Sequence, residues 1–210
     1  DIFKPEYNKQ MKLEGIKAND FVAVFTGAHG IANGLDAVLD AASILKGRGR
    51  LDIKLVFIGD GRLKPALKER AARENLDNCL FFKPISKLEL NDIISNADIG
   101  LMILANIPEF YYGTSPNKFF DYISSGLPVL NNYPGWLADM INANKCGCVV
   151  PPDNPEAFAN GIIMLSNDPE FRKIAGKNSR KLAESSFNRI EFADKFVKIL
   201  ESIHANQPIY

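Results

Sequence analysis

The 210-residue sequence is poor in the residues that build disulfide frameworks and zinc sites. It contains three cysteines (Cys79, Cys146 and Cys148) and two histidines (His29 and His204), and their spacing matches no zinc-binding motif. Three cysteines cannot form a complete set of disulfides. We therefore expect the thiols to behave as small buried hydrophobic groups in a reducing cytosol.

The sequence also lacks an excess of charge and a long apolar run. Lysine and arginine number 25, as do aspartate and glutamate, so the composition does not indicate nucleic acid or an anionic membrane as a partner. No stretch of about 18 apolar residues could span a bilayer, and no signal-peptide pattern opens the chain. The first residue is Asp1, and we interpret the opening residues as part of a longer protein. We expect a cytoplasmic location.

Short apolar runs alternate with helical patterns along the chain, whose apolar fraction of 46% suits one large domain. The apolar runs predict strands at 21–25, 53–58, 79–82, 99–104, 127–130 and 149–150. The patterns between them predict helices at 34–47, 63–72, 88–94 and 115–125. Three further helices are predicted at 155–166, 168–184 and 189–203. This order predicts an α/β fold with a Rossmann-like, doubly wound parallel sheet flanked by helices, and with extra C-terminal helices.

The same patterns divide the chain into three parts. Residues 1–20 are polar and aperiodic and are predicted to form a linker that wraps onto the domain. Residues 21–186 form the predicted Rossmann-like domain, and residues 187–210 form a C-terminal helix and tail.

The stretch from Gly113 to Leu130 places polar groups against local preference. Ser115 is a suitable N-cap, Pro116 then occupies the first helical position, and Gly126 ends the helix. Lys118 puts a cation in the first turn, where the helix dipole favours anions. The N–H groups of residues 115–118 and the Lys118 ammonium could together bind a phosphate or diphosphate. Alternatively, Lys118 pairs with Asp121, three residues further along a solvated face.

Ligands of doubly wound sheets bind beyond the carboxyl ends of the strands, so the loops at 27–34, 59–65, 83–87 and 105–115 are the candidate site. His29 could contact a ligand there, although a lone loop histidine is more often solvated. Arg62 could bind a phosphate or could simply lie on the surface of the second helix. The sequence has no G-x-G-x-x-G after the first strand, no P-loop and no G-x-S-x-G, which argues against a nicotinamide enzyme, an NTPase and a serine hydrolase.

The glycine turns after the first two strands, together with the block Ser-Pro-Asn-Lys-Phe-Phe-Asp-Tyr-Ile-Ser-Ser-Gly-Leu-Pro-Val at residues 115–129, resemble the C-terminal, donor-binding half of GT-B glycosyltransferases. The chain looks most similar to glycosyltransferase family 4, in the subgroup that builds bacterial capsule, O-antigen and exopolysaccharide. The resemblance covers nearly the whole chain. It implies an enzyme whose N-terminal acceptor domain is absent here, so that this part alone is inactive.

The resemblance also implies roles for individual residues. Asp121 would hold the ribose hydroxyls, Ile85 would bond the base through its backbone, and Gly30 would lie against the diphosphate. Family members often carry an arginine and a lysine after the glycine that follows the first strand. They also carry a signature of two glutamates separated by seven residues, and its first acid would fall at Gly113. This chain has Ala28, Asn33 and Gly113 at those three places. Lys118, with the Thr114, Ser115 and Asn117 amides, is the natural substitute, and Arg62 could assist.

By the same resemblance the reaction is a retaining transfer with no bound metal or other cofactor. Its partners would be a nucleotide-diphosphate sugar, with uridine as the suggested base, and a lipid-linked or sugar acceptor bound by the N-terminal domain. That domain could contact the inner face of the membrane. Two other hypotheses remain open. One is a noncatalytic nucleotide-binding module, and the other is a sugar-nucleotide epimerase of the same fold, which would need two cleft carboxylates where only Asp121 and Glu109 are available.

Overall fold

The structure, a computed structural model that describes residues 3–5 and 13–204, is built on a parallel sheet of six strands. The strands lie in the order β3-β2-β1-β4-β5-β6, and every pairing is parallel. Their bounds are β1 Phe21–Thr26, β2 Ile53–Ile58, β3 Cys79–Phe82, β4 Ile99–Met102, β5 Val129–Asn131 and β6 Gly147–Val149. The chain moves outward from β1 to β3 and then crosses to the other side of β1, which defines a doubly wound sheet.

Helices connect the strands and extend beyond the last one. Their bounds are α1 Asp36–Gly47, α2 Lys64–Arg73, α3 Lys87–Asn96, α4 Pro108–Gly113, α5 Asn117–Ser124, α6 Trp136–Asn144, α7 Pro155–Asn167, α8 Pro169–Ser186 and α9 Arg189–His204. A 3₁₀ turn at Ile31–Asn33 precedes α1. None of the described helices is long and apolar enough to cross a membrane.

Both faces of the sheet are covered, as its apolar strands require. Alternate residues of β1 and β2 face opposite sides: Phe25 and Phe57 pack in the core under α1, α2 and α7, whereas Val24 and Val56 pack in the core under α3, α5, α6 and α8. Because the central strands are buried on both sides, they appear in the sequence as continuous apolar runs.

The predicted fold class is confirmed by this architecture. Two elements were missed: the segment predicted as a loop at 105–114 contains α4, which begins with a proline at its first position, and α6 lies in a segment for which no helix was predicted. The last strand, expected at 149–150, is Gly147–Val149. Cys79 and Cys146 are buried free thiols, as expected, and Cys148 is half-buried.

The linker prediction for residues 1–20 falls partly outside the described residues. In the described part, the Lys4 N–H donates to Asn91 Oδ1 over 3.1 Å and the Lys4 carbonyl accepts from Ser95 Oγ over 3.0 Å, so residues 3–5 lie against α3. At the other end, α9 has no buried residue and exposes the apolar side chains Ile190, Phe192, Phe196, Val197, Ile199, Leu200 and Ile203.

Helix α5 is attached to the end of β1 by the hydroxyl of Tyr122. This fully buried hydroxyl accepts from the Thr26 N–H over 3.0 Å and lies 3.2 Å from the Val24 carbonyl, to which it donates. The ring fits because residue 100 of β4 is glycine: a Cβ there would lie 2.5 Å from Tyr122 Cδ2. The hydroxyl therefore fixes the position of α5 relative to β1.

We expect Tyr122→Phe to lower the free energy of unfolding by about 1–3 kcal/mol, because it leaves a buried N–H without its acceptor. The change is measured by urea denaturation. The matched control is Tyr112→Phe, which removes a hydroxyl from a side chain in α4 that is 73% exposed. Equal stability of the two variants would contradict the proposed attachment.

Candidate functional site

The candidate site lies at the carboxyl edge of the sheet, between β1 and β4. The strand order reverses there, and ligands of doubly wound sheets bind outside the carboxyl ends of the strands at such a point. The loops touch where the Ala105 N–H donates to the Ala32 carbonyl over 3.0 Å. All four loops singled out in the sequence follow strands that end at this edge.

The loops after β1 and β2 pack backbone against backbone. A Cβ on Gly59 would lie 1.9 Å from the Gly27 carbonyl oxygen, and a Cβ on Gly61 would lie 2.6 Å from the His29 carbonyl oxygen. Gly59 and Gly61 also have φ angles of 142° and 157°, which side-chain-bearing residues rarely adopt. The turn at residues 59–61 therefore packs directly against the backbone of the loop that follows β1.

The Lys118 side chain runs from α5 across the strand-one loop. Its ammonium donates to Asn33 Oδ1 over 3.0 Å and lies 4.4 Å from the centre of the Phe25 ring. Gly27 leaves room for it, since a Cβ there would lie 3.3 Å from Lys118 Cε. Asn33 is itself oriented by a 2.8 Å bond from Nδ2 to the Ala28 carbonyl. Lys118 is therefore fixed at the end of β1 and is not extended into solvent.

Burial of this ammonium without a carboxylate partner lowers the pKa of Lys118 to about 8. The first turn of α5 carries Lys118 and no acidic residue, so no carboxylate there offsets the positive charge. Around neutral pH the Lys118 ammonium is charged. The hydrogen bond that it donates within the described residues goes to the neutral side-chain amide of Asn33. Such a site favours an anion.

The predicted N-cap at Ser115 is wrong. Helix α5 begins at Asn117, and the N-cap position is occupied by Pro116 in an extended conformation (φ −78°, ψ 127°) with no side-chain cap. Ser115 and Asn117 are exposed. Of the amides expected to bind phosphate, Asn117 and Lys118 lie in the first turn, where N–H groups have no intrahelical acceptor.

Asp121 does not pair with Lys118, so the alternative interpretation of this helix is not supported. Its carboxylate is half-buried, burial raises its pKa, and the charged group that acts on it is Lys87 at the start of α3. Asp121 therefore lies near the start of α3 and the loop after β3, which also carries Ile85. Glu109, the other carboxylate considered, is exposed on α4.

His29 is neither solvated nor placed to contact a ligand, contrary to both sequence-based interpretations. It is 0% exposed, and its ring centre lies 5.9, 6.3 and 6.4 Å from those of Phe25, Phe57 and Phe81. Burial lowers its pKa. The ring is therefore part of the core beneath the strand-one loop.

The remaining predicted residues lie at the same edge but have different environments. Gly30 begins the 3₁₀ turn, and no described atom lies within 4 Å of where its Cβ would be, so its backbone faces open space. Arg62 is exposed, and Ile85 is half-buried in the core on the α3 side. The Thr114 carbonyl accepts from Trp136 Nε1 over 3.0 Å, which ties the loop before α5 to α6.

Two side chains of the site region were not selected from the sequence. Lys64 Nζ donates to the carbonyls of Gly59 and Phe82 over 2.6 and 2.7 Å and so joins the ends of β2 and β3. Phe25 forms the apolar surface under Lys118. No local pattern marks either role. Within the described ranges, no group of three or more His, Cys, Asp or Glu side chains could hold a metal ion.

Comparison with known proteins identifies the family. The model described as "Glycosyl transferases group 1" matches residues 6–182, which is most of the chain. The chain therefore belongs to this family. It is 25% identical over 181 residues to the O-antigen chain mannosyltransferase C of Escherichia coli; the match covers 86% of this chain and 46% of that protein. The chain spans less than half the length of the curated relatives it matches most extensively.

Solved structures show the same fold. The C-terminal domain of a glycosyl transferase group 1 family protein (LpcC) from Francisella tularensis superposes with a TM-score of 0.71 at 19% identity, over 90% of this chain and 97% of that one. An Anabaena protein, Alr3699/HepE, crystallised with UDP-glucose, superposes with a TM-score of 0.74 at 16% identity, over 88% of this chain and 50% of that one. The chain thus has the fold of the C-terminal, Rossmann-like half of GT-B enzymes.

We expect Asn33→Asp to raise the pKa of Lys118 well above 8, because a carboxylate in place of the amide oxygen favours the charged lysine. The measurement is an NMR pH titration of ¹³Cε-labelled lysine. Asn33→Ala is the control, since it removes the acceptor without adding charge and should leave the pKa depressed. An unchanged Lys118 titration in Asn33→Asp would contradict the contact between the two side chains.

Proposed function

We propose that this chain is the donor-binding half of a retaining glycosyltransferase that takes its sugar from a nucleotide-diphosphate donor, with UDP as the nucleotide. The product would be a cell-surface polysaccharide or a lipid-linked oligosaccharide. The acceptor would be bound by an N-terminal half, and this half alone would not turn over. The proposed reaction uses no metal.

The position of the Lys118 ammonium is the observation that carries this proposal. Members of the family often have a lysine in the strand-one loop at the place where this chain has Asn33. Here the Lys118 ammonium reaches that place from α5 and lies 3.0 Å from the Asn33 amide oxygen. A cation therefore lies beside position 33 although the residue at that position is neutral, which supports the proposal.

The chemistry that we propose follows from this placement. In a glycosyl transfer from such a donor, the bond from the anomeric carbon to the diphosphate breaks and the diphosphate leaves with added negative charge. Lys118 and the N–H groups of the first turn of α5 would stabilise that charge, in a position fixed before the donor binds. Asp121, one turn further along α5, would accept hydrogen bonds from the ribose hydroxyls, and the backbone at Ile85 would contact the base.

The comparisons support the nucleotide and the product class. Three of the similar solved structures are of the Anabaena protein with UDP, with UDP and glucose, or with UDP-glucose. Curated relatives include an O-antigen mannosyltransferase and a glycosyltransferase of amylovoran biosynthesis. These ligands and products belong to those proteins, and for this chain they define which ligands to test first.

The central experiment is a calorimetric titration of the chain with UDP, GDP, ADP and NAD, first without metal and then with magnesium. We expect one nucleoside diphosphate to bind selectively and without metal. Lys118→Ala should weaken that nucleotide about 10- to 150-fold, because a charge-assisted hydrogen bond contributes about 1.5–3 kcal/mol. Lys68→Ala, a substitution on the exposed part of α2, serves as the control.

Equal affinity of the Lys118→Ala and Lys68→Ala variants would remove the proposed role of Lys118. Strict dependence on magnesium would argue against a metal-free site. To test turnover, the same substitutions are made in the chain joined to an N-terminal acceptor half. Nucleotide binding with no transfer in that longer protein would favour the noncatalytic module instead.

Asp121→Asn tests the contact to the ribose separately. A neutral amide accepts more weakly from hydroxyl groups than a carboxylate does, so we expect nucleotide affinity to fall about tenfold while affinity for inorganic diphosphate stays constant. Both affinities are measured by the same titration. Equal loss of both ligands would show that Asp121 does not act on the ribose.

A further inference from the structure

A cavity of about 580 Å³ lies at the opposite edge of the sheet from the candidate functional site. It is bounded by Asp98 and by Leu127 and Pro128, which immediately precede β4 and β5, and by one face of α8. The volume falls within the range of sites for small organic ligands. The cavity is therefore a separate site from the one at the carboxyl ends of the strands.

The wall formed by α8 is strongly basic. It carries Arg172, Lys173, Lys177, Arg180 and Lys181, against the carboxylates of Asp98 and Glu184. The three lysines, Lys173, Lys177 and Lys181, are spaced four residues apart, which places like charges next to each other on one helix face. All three lysines are exposed, so their mutual repulsion is small, and an anion beside the row would relieve it.

The two carboxylates are already engaged by the arginines. Glu184 Oε1 accepts from Arg180 Nε over 2.7 Å, and Asp98 Oδ1 lies 3.7 Å from Arg172 Nε while its other oxygen accepts from the Val22 N–H. Lys173 has an exposed pairing with Glu170 at 3.7 Å. Within the part of the chain that the structure describes, Lys177 and Lys181 have no ion-pair partner, so the positive charge of the wall is not neutralised.

The other walls present apolar surface to the cavity. Ile94, Leu127 and Pro128 supply this surface.

From these features we propose that the cavity binds the phosphate of an organic phosphate, with Lys177 and Lys181 as the cationic ligands. The apolar wall would contact the organic part of the ligand. The phosphate could belong to a lipid headgroup or to a free phosphorylated metabolite, since both present the same group to the lysines. The proposal does not depend on the nucleotide-binding function proposed above.

The test measures binding of three probes by calorimetry: inorganic diphosphate, dioctanoyl phosphatidic acid below its micelle concentration, and dioctanoyl phosphatidylcholine. All titrations use the Lys118→Ala background, so that diphosphate does not report on the other site. We expect the combined substitution Lys177→Gln and Lys181→Gln to weaken the phosphate probes by at least about tenfold, as loss of charge-assisted bonds would. The matched control is Lys195→Gln with Lys198→Gln, an equal charge change on the exposed helix α9.

Phosphatidic acid binding at least about tenfold more tightly than diphosphate would identify a lipid phosphate, and the reverse order would identify a free one; either result supports the site. The proposal is overturned if neither phosphate probe binds, or if the Lys177/Lys181 variant and its α9 control bind them equally well.

Discussion

The hydrogen bonds of the Tyr122 hydroxyl to the end of β1 hold the short helix α5 on the sheet, and the candidate site depends on that attachment. A helix of eight residues without a side-chain cap has little stability of its own. Its position must therefore come from packing. Lys118 lies one turn before Tyr122, on the same face, so the bond that fixes Tyr122 at Thr26 also directs Lys118 onto the loop that follows β1.

Lys118 lies where the dipole of α5 and the loss of solvation on burial both disfavour a positive charge. It lies in the first turn, over an aromatic ring and beside a neutral amide, and its pKa is reduced to about 8. An anionic group that reaches this place meets a donor that is already oriented by its contacts with Asn33 and Phe25. Preorganisation of this kind is the usual means by which proteins stabilise charge that develops during a reaction.

The fold could be predicted from the sequence because its central strands are buried on both faces and are therefore apolar throughout. Long periodic helices such as α7 and α8 were placed nearly correctly for a similar reason. Local patterns could not show that Phe25, Phe57 and Phe81, from three different strands, converge around His29. They also could not show that Lys118 bonds Asn33, because 85 residues separate the two in the chain. What the sequence did indicate was that the charge of Lys118 needed an explanation.

The contact between Asn33 and Lys118 makes these two positions mutually dependent. A lysine at position 33, as many family members have, would bring a second ammonium to the place that Lys118 already occupies, and the two like charges would repel at short range. The amide at position 33 avoids this repulsion while still accepting a hydrogen bond. In this chain the residues at positions 33 and 118 are therefore coupled through their charge, since a cation at either position disfavours a second one at the other.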